Sequence, residues 1–108
     1  MKLSFIVPLF NCLPLTRQMT ASLQASLPKG LDYEVILVDD GSSDGTREWL
    51  KSLGAPFRAV LNERNLGYAA ANNRGAALAR GELLALLNND LVLRPGWLEP
   101  TSRAAPRQ

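Results

Sequence analysis

Glu34-Val35-Ile36-Leu37-Val38-Asp39-Asp40-Gly41-Ser42-Ser43-Asp44-Gly45-Thr46 decides how the chain reads. Four consecutive branched apolar residues run into two carboxylates, then into a Gly/Ser/Asp turn. A short β-branched run bounded by turn residues is the pattern of a strand buried on both faces, as in a parallel sheet. Acids at the carboxyl end of such a strand sit where open α/β sheets bind ligands. Gly41, Ser42, Ser43 and Asp44 already supply turn chemistry. The Asp39/Asp40 pair is therefore surplus to the turn, and the bland alternative is that one of the two caps a backbone group.

Working outward, Leu3 to Val7 reads as another buried strand, ended by Pro8, which cannot donate to a ladder. The loop from Pro8 to Pro14 keeps Leu9, Phe10 and Leu13. Leu13 suits core closure, whereas Phe10 and Asn11, beside a strand's carboxyl end, suit contact with a flat ligand as well as packing. A first helix is predicted over Pro14 to Leu27, with Leu15, Met19 and Leu23 as its packing stripe. The central strand spans Tyr33 to Val38. A second helix begins near Asp44, presents Trp49, Leu50 and Leu53, and ends at Gly54. Phe57 to Leu61 is a third strand, and Tyr68 to Arg80 a third helix rich in alanine, with Gly75 inside; small residues let a helix backbone approach a sheet closely. Leu83 to Leu87, between Gly81 and Asn88, is too short for a helix and reads as a fourth strand. Residues 3–93 are thus predicted to form a parallel sheet of order 3-2-1-4 with helices on both faces.

Composition narrows the classes. With 108 residues and 46% hydrophobic content the chain is one small globular domain. Residues 1–100 hold ten of the twelve Lys/Arg and all ten Asp/Glu, so the formal charge of +2 comes from Arg103 and Arg107. The pI near 9.0 is then no argument for a nucleic-acid surface, which needs basic residues clustered on a folded face. The single cysteine, Cys12, excludes an internal disulfide and suits a reducing compartment; it reads as an inert core thiol. No apolar run approaches the roughly 20 residues of a membrane span, and Pro8 interrupts the N-terminus too early for a signal peptide. A soluble, cytoplasmic chain is expected. Residues 1–98 read as the domain; 99–108, with two prolines and nothing larger than alanine to bury, read as a disordered tail.

Asp90 follows the fourth strand as Asp39 and Asp40 follow the second, so both clusters can face one crevice. Mg²⁺ or Mn²⁺ suits such a place, because these ions take oxygen ligands and need only one or two carboxylates when substrate phosphates supply the rest. Asp90 with an amide oxygen of Asn88 or Asn89 meets that minimum, although Asn88-Asn89-Asp90 alone is also an ordinary turn. No G-x-G-x-x-G follows the first strand and no G-x-x-x-x-G-K-[ST] occurs, which disfavours dinucleotide dehydrogenases and P-loop NTPases. With no histidine, Ser-His and Cys-His catalysis and His-based zinc sites are excluded.

Val7-Pro8-Leu9-Phe10-Asn11 and Val38-Asp39-Asp40-Gly41-Ser42-Ser43-Asp44-Gly45-Thr46 resemble the start of a family 2 glycosyltransferase of the GT-A fold. Asn65-Leu66-Gly67-Tyr68, Asn73, Gly75, Ala79-Arg80-Gly81 and Leu87-Asn88-Asn89-Asp90 continue that pattern in order, and the last is most similar to the rhamnosyltransferase-like branch. The resemblance covers nearly all of residues 3–98. It implies the Rossmann-like nucleotide-binding half of a GT-A fold and a nucleotide-diphosphate sugar, UDP- or dTDP-linked, as donor. The implied acceptor is a glycan or lipid-linked saccharide, met in the cytoplasm, the inner face of the membrane included. Pro8, Phe10 and Asn11 would line the base, Asp39 or Asp40 would bond uracil or thymine and ribose, Gly67 and Asn88 would border the nucleotide, and Asp90 would bind the metal. Asn88 stands where an acid often does, one formal charge fewer for the cation. The acceptor half with its general base is expected after the triplet, beyond residue 108. The 108 residues alone are therefore expected not to transfer sugar, and to self-associate through apolar surface left bare around Leu91, Leu93, Trp97 and Leu98. A nucleotide-sugar-binding module without transfer is the alternative. A phosphorylation receiver domain is a remoter one, since receivers carry their acid pair on the first strand.

Overall fold

The computed structural model describes residues 2–98 and 104–106. Strands β1 (Leu3–Leu9), β2 (Tyr33–Asp39), β3 (Phe57–Leu61) and β4 (Leu83–Leu86) alternate with helices α1 (Leu13–Ser26), α2 (Thr46–Lys51) and α3 (Tyr68–Leu78). The four strands are parallel in the order β3-β2-β1-β4, as expected from the sequence. A short β5 (Ala104–Pro106) adds antiparallel to β4 at the edge, where a proline's missing donor is tolerated. Of the predicted disordered tail, then, Ala104–Pro106 pair with the sheet, and 99–103, 107 and 108 lie outside the described residues.

The predicted end of the first strand at Val7 is corrected: β1 runs through Pro8 to Leu9. Leu87 N–H donates to Ile6 C=O on the β4 side, and Asp40 N–H donates to Leu9 C=O on the β2 side. Successive residues alternate sides, so Pro8 faces the β4 side, where strand pairing has ended at Ile6 opposite Leu86. No ladder bond is lost there.

The alternation also builds two cores. Leu3, Phe5, Val7 and Leu9 with Val35 and Leu37 meet Met19 and Leu23 of α1 and Leu50 of α2. Ile6, Ile36, Val38 and Val60 meet Ala71 and Ala79 on the α3 side. In α1 the buried stripe is Thr16, Met19, Thr20, Leu23 and Ser26; Leu15, predicted in it, is exposed. The alanine-rich α3 lies so close to the sheet that a Cβ on Gly75 would stand 2.5 Å from Ile6 Cγ2 and 3.0 Å from Val38 Cγ2.

Two expectations about the surface fail. Leu91, Leu93, Trp97 and Leu98 are not bare but packed against the α1/α2-side core. Trp97 lies 6.0 Å from the Phe5 ring and donates Nε1–H to Ser26 Oγ at 2.8 Å, while Leu93 N–H donates to Ser22 Oγ at 2.9 Å. The surface that motivated self-association is therefore largely covered. Cys12 is exposed rather than in the core, because Asn11 (φ 54) and Cys12 (φ 59) both turn left-handed between β1 and α1.

At the amino end of the sheet Glu34, 2% exposed, gathers a polar cluster. Ser4 Oγ–H (2.6 Å) and Arg80 N–H (2.7 Å) donate to its Oε2, and Arg58 Nη1–H (2.6 Å) to its Oε1. Ser4 Oγ in turn accepts from Gly81 N–H at 2.8 Å. Burial by itself raises the Glu34 pKa, but the bonds from Ser4, Arg80 and Arg58 outweigh it and the value falls below the ordinary 4.5. A carboxyl that binds its proton less readily when folded contributes fully above its unfolded pKa and loses that contribution as pH falls through the folded one. Glu34→Gln is expected to lower stability by on the order of 2 kcal/mol at pH 7 and by less in acid, so that urea melts at pH 7 and pH 3 converge for the variant relative to wild type. Gly81 is pressed against β1: an added Cβ would meet Leu3 C and Ser4 N at 2.7 Å. Gly81→Ala is expected to cost about 2 kcal/mol or more, against a negligible change for Gly54→Ala, whose Cβ meets nothing within 4 Å; thermal melts of the pair check this.

Candidate functional site

β2 ends by sending its two carboxylates to opposite sides. Asp39 continues the side of Val35 and Leu37, toward α2. There its Oδ2 accepts from Arg47 Nη1–H (2.8 Å), Ser42 N–H (3.0 Å) and Gly41 N–H (3.3 Å), while Oδ1 is buried without a hydrogen-bond partner. Asp40 turns toward the start of α3. Its Oδ1 accepts from Leu66 N–H (2.9 Å) and Asn62 Nδ2–H (3.1 Å), and its Oδ2 from Gly67 N–H (2.9 Å). Asp40 is 5% exposed. That burial raises its pKa, but the donors from Leu66, Asn62 and Gly67 more than offset it, so the group is held below its ordinary value and charged at neutral pH.

Between the carboxyl ends of β1 and β4 and the start of α3 lies an open crevice of about 320 Å³. Pro8, Phe10, Asp40, Gly67, Asn88 and Asp90, all singled out from the sequence, line it together. The position fits the rule that open sheets bind ligands where strand order reverses, here between β1 and β4. Asn11 and Asp39 do not line it. Asn11 instead ties two loops: its N–H donates to Ser42 Oγ (2.6 Å) and its Oδ1 accepts from Ser43 N–H (2.8 Å). Asp39 is spent on α2 and the turn. Asp44 does similar work, accepting from Thr46 N–H at 3.1 Å and from Leu13 N–H at 3.0 Å, so one carboxylate secures the starts of both α1 and α2.

Tyr68, Asn65, Asn89, Leu9 and Ala71 complete the lining; the sequence offered Asn89 as the alternative to Asn88 for an amide oxygen on the cation, and gave the other four no role. Tyr68 had a readable signal, an aromatic residue opening a helix beside a glycine. It is 60% exposed and Phe10 46%, so two aromatic rings stand open to solvent at one crevice. Tyr68 O–H donates to Asn88 Oδ1 at 3.0 Å, bridging α3 to the polar triplet. Asn89 Nδ2–H donates to Thr16 Oγ1 at 3.1 Å, which leaves its amide oxygen available. Asp90 is exposed. Among the described residues no three His, Cys, Asp or Glu side chains converge as a metal cage. The lining thus combines two open aromatic faces, a charged acceptor in Asp40, and hard oxygen donors in the triplet, with Tyr68 joining the first to the last.

Comparison with known proteins agrees with this arrangement. Residues 4–107 match the model of glycosyl transferase family 2. A dodecaprenyl-phosphate galacturonate synthase of Rhizobium johnstonii is 38% identical over 103 residues, covering 88% of this chain and 30% of that protein. A validoxylamine A glucosyltransferase of Streptomyces hygroscopicus subsp. jinggangensis is 33% identical over 100 residues, covering 90% and 24%. The crystal structure of S. aureus TarS 1–349 in complex with UDP-GlcNAc superposes with a TM-score of 0.73 at 29% identity, covering 83% of this chain and 27% of that one. The chain spans less than a third of each of these proteins. With the parallel 3-2-1-4 sheet and a crevice at its reversal point, the chain belongs to glycosyl transferase family 2.

Proposed function

We propose that the crevice holds the nucleoside diphosphate of an activated sugar, UDP- or dTDP-linked, and so serves as the donor site for glycosyl transfer to a glycan or lipid-linked acceptor. The observation that carries this reading is the convergence of Pro8, Phe10, Asp40, Gly67, Asn88 and Asp90 on one cavity. A flat base suits the open faces of Phe10 and Tyr68. Asp40, ionised and lacking donors of its own, accepts from a base N–H or a ribose hydroxyl. The bound UDP-GlcNAc of the TarS complex is consistent with that choice of ligand.

The triplet fits Mg²⁺ or Mn²⁺ by its donor chemistry. Asp90 supplies a carboxylate and Asn89 an unengaged amide oxygen, whereas the oxygen of Asn88 is already held by Tyr68. One carboxylate is a weak hold, so diphosphate oxygens and water would complete the set. When bound, such a cation neutralises the departing diphosphate as a Lewis acid. The chain's own part is positioning: Phe10 and Asp40 fix the nucleoside, and Asp90 sets where the diphosphate lies. Among the described residues Asp40 and Asp90 are the carboxylates lining the crevice, and both are assigned to the donor. Deprotonation of an acceptor then needs a further base, and the purified 108-residue chain is expected to bind donor without transferring sugar.

Calorimetry with UDP, with and without Mn²⁺, tests the site. An anionic diphosphate beside Asp40 and Asp90 is repelled unless a cation intervenes, so affinity is expected to rise with Mn²⁺. Asp90→Ala is expected to remove that rise while leaving metal-free affinity equal or better. Equal affinity with and without Mn²⁺ in wild type overturns the metal role. Phe10→Ala is expected to weaken UDP by about tenfold, the scale of one base–aromatic stack, with Phe10→Tyr close to wild type; an unchanged affinity removes the base from this end of the crevice.

A further inference from the structure

A second depression is lined by Asn62, Arg64 and Arg74 among others. Asn62 is 1% exposed and joins that depression to Asp40, which lines the crevice. Its backbone is fixed independently: Asn62 N–H donates to Asp39 C=O at 2.8 Å, and its C=O accepts from Arg47 Nη1–H at 2.7 Å. What remains free is rotation of the side-chain amide. That amide is held between Arg74, whose Nη1–H donates to Asn62 Oδ1, and Asp40, whose Oδ1 accepts from Asn62 Nδ2–H at 3.1 Å.

A guanidinium can only donate and an ionised carboxylate can only accept. Reversing the amide would set its nitrogen against Arg74 and its oxygen against Asp40, so both contacts fail together. We infer that Arg74, acting through Asn62, is a positioning residue that keeps Asp40 a pure acceptor toward the crevice and thereby sets which pyrimidine base the site takes. The inference rests on the donor-site reading above. A carboxylate offers about four acceptor positions. Oδ1 uses two, on Asn62 and Leu66, and Oδ2 uses one, on Gly67. One position on Oδ2 is left for a ligand. Uracil and thymine present N3–H to it; cytosine presents an unprotonated N3, acceptor against acceptor. Without Arg74 only Asp40 itself orients the amide of Asn62, so one of the three donors that hold the carboxylate is less firmly set, and a protonated or rotated carboxyl can then face the cytosine edge.

The test measures Kd for UDP and for CDP, both with Mn²⁺, on wild type, Arg74→Met, Arg74→Lys and Arg64→Met. Arg64 lines the same depression and controls for the loss of one positive charge there. Wild type is expected to favour UDP. Arg74→Met is expected to narrow the UDP-to-CDP ratio by about fivefold, the scale of one ordinary hydrogen bond, since the effect reaches the base only through Asn62, while Arg74→Lys, which still donates, and Arg64→Met keep it. Equal weakening of UDP and CDP by Arg74→Met is what a merely structural arginine would give, and it overturns the inference, as does an unchanged ratio. A narrowing matched by Arg64→Met assigns the effect to net charge and also overturns it. Wild type that binds neither nucleotide fails the donor-site reading itself, a result separate from these.

Discussion

Helix α3 is held to the sheet by two carboxylates carried on one strand. Asp40, just past the end of β2, takes the N–H groups of Leu66 and Gly67 where the helix begins. Glu34, at the start of β2, takes Arg80 N–H just past the helix end, and Ser4, itself bonded to Glu34, takes Gly81 N–H. The helix needs such clamps because its sheet-facing side is Ala71, Asn72 and Gly75, which bury little apolar area. Close approach and polar ends take the place of a wide hydrophobic stripe. A crevice that depends on where α3 begins is thus fixed by hydrogen bonds to charge, each stronger than a neutral bond.

The same strand divides two adjacent acids into different tasks. Asp39 is structural, an anchor for the Gly41–Ser42 turn and for Arg47 on α2. Asp40 is the one that reaches the crevice. Neighbouring carboxylates that shared a site would repel and one would take up a proton. Here alternation along the strand separates them, and each finds its own donors.

Much of this was legible from residues alone. Runs of five or six residues, largely apolar and set between helical stripes, led to the parallel order, and acids at two strand ends placed Asp40 and Asp90 at one crevice. What failed to show was whatever depends on partners far along the chain. Glu34 meets groups 24, 30 and 46 residues away, and nothing local marks it as a junction. Trp97 and Leu93 find partners on α1 at a separation of 71, so their half-polar surroundings read as bare surface. The family resemblance set Asn11 beside the base and left Asp39 and Asp40 as alternatives; which of two consecutive side chains faces the crevice depends on where α3 packs, a tertiary fact. Pro8 misled in another way, since its missing donor matters only where a neighbouring strand is present.

The return of the chain over α1 has a consequence for the triplet before it. Leu87 N–H is fixed to Ile6 C=O, and Leu93 N–H to Ser22 Oγ. Asn88, Asn89 and Asp90 therefore belong to a span of five residues stretched between two tethers, not to a free end. A short span with both ends fixed has few conformations to surrender. A ligand held there would meet a loop whose ordering was largely accomplished during folding, and preorganisation of that kind lowers the cost of binding.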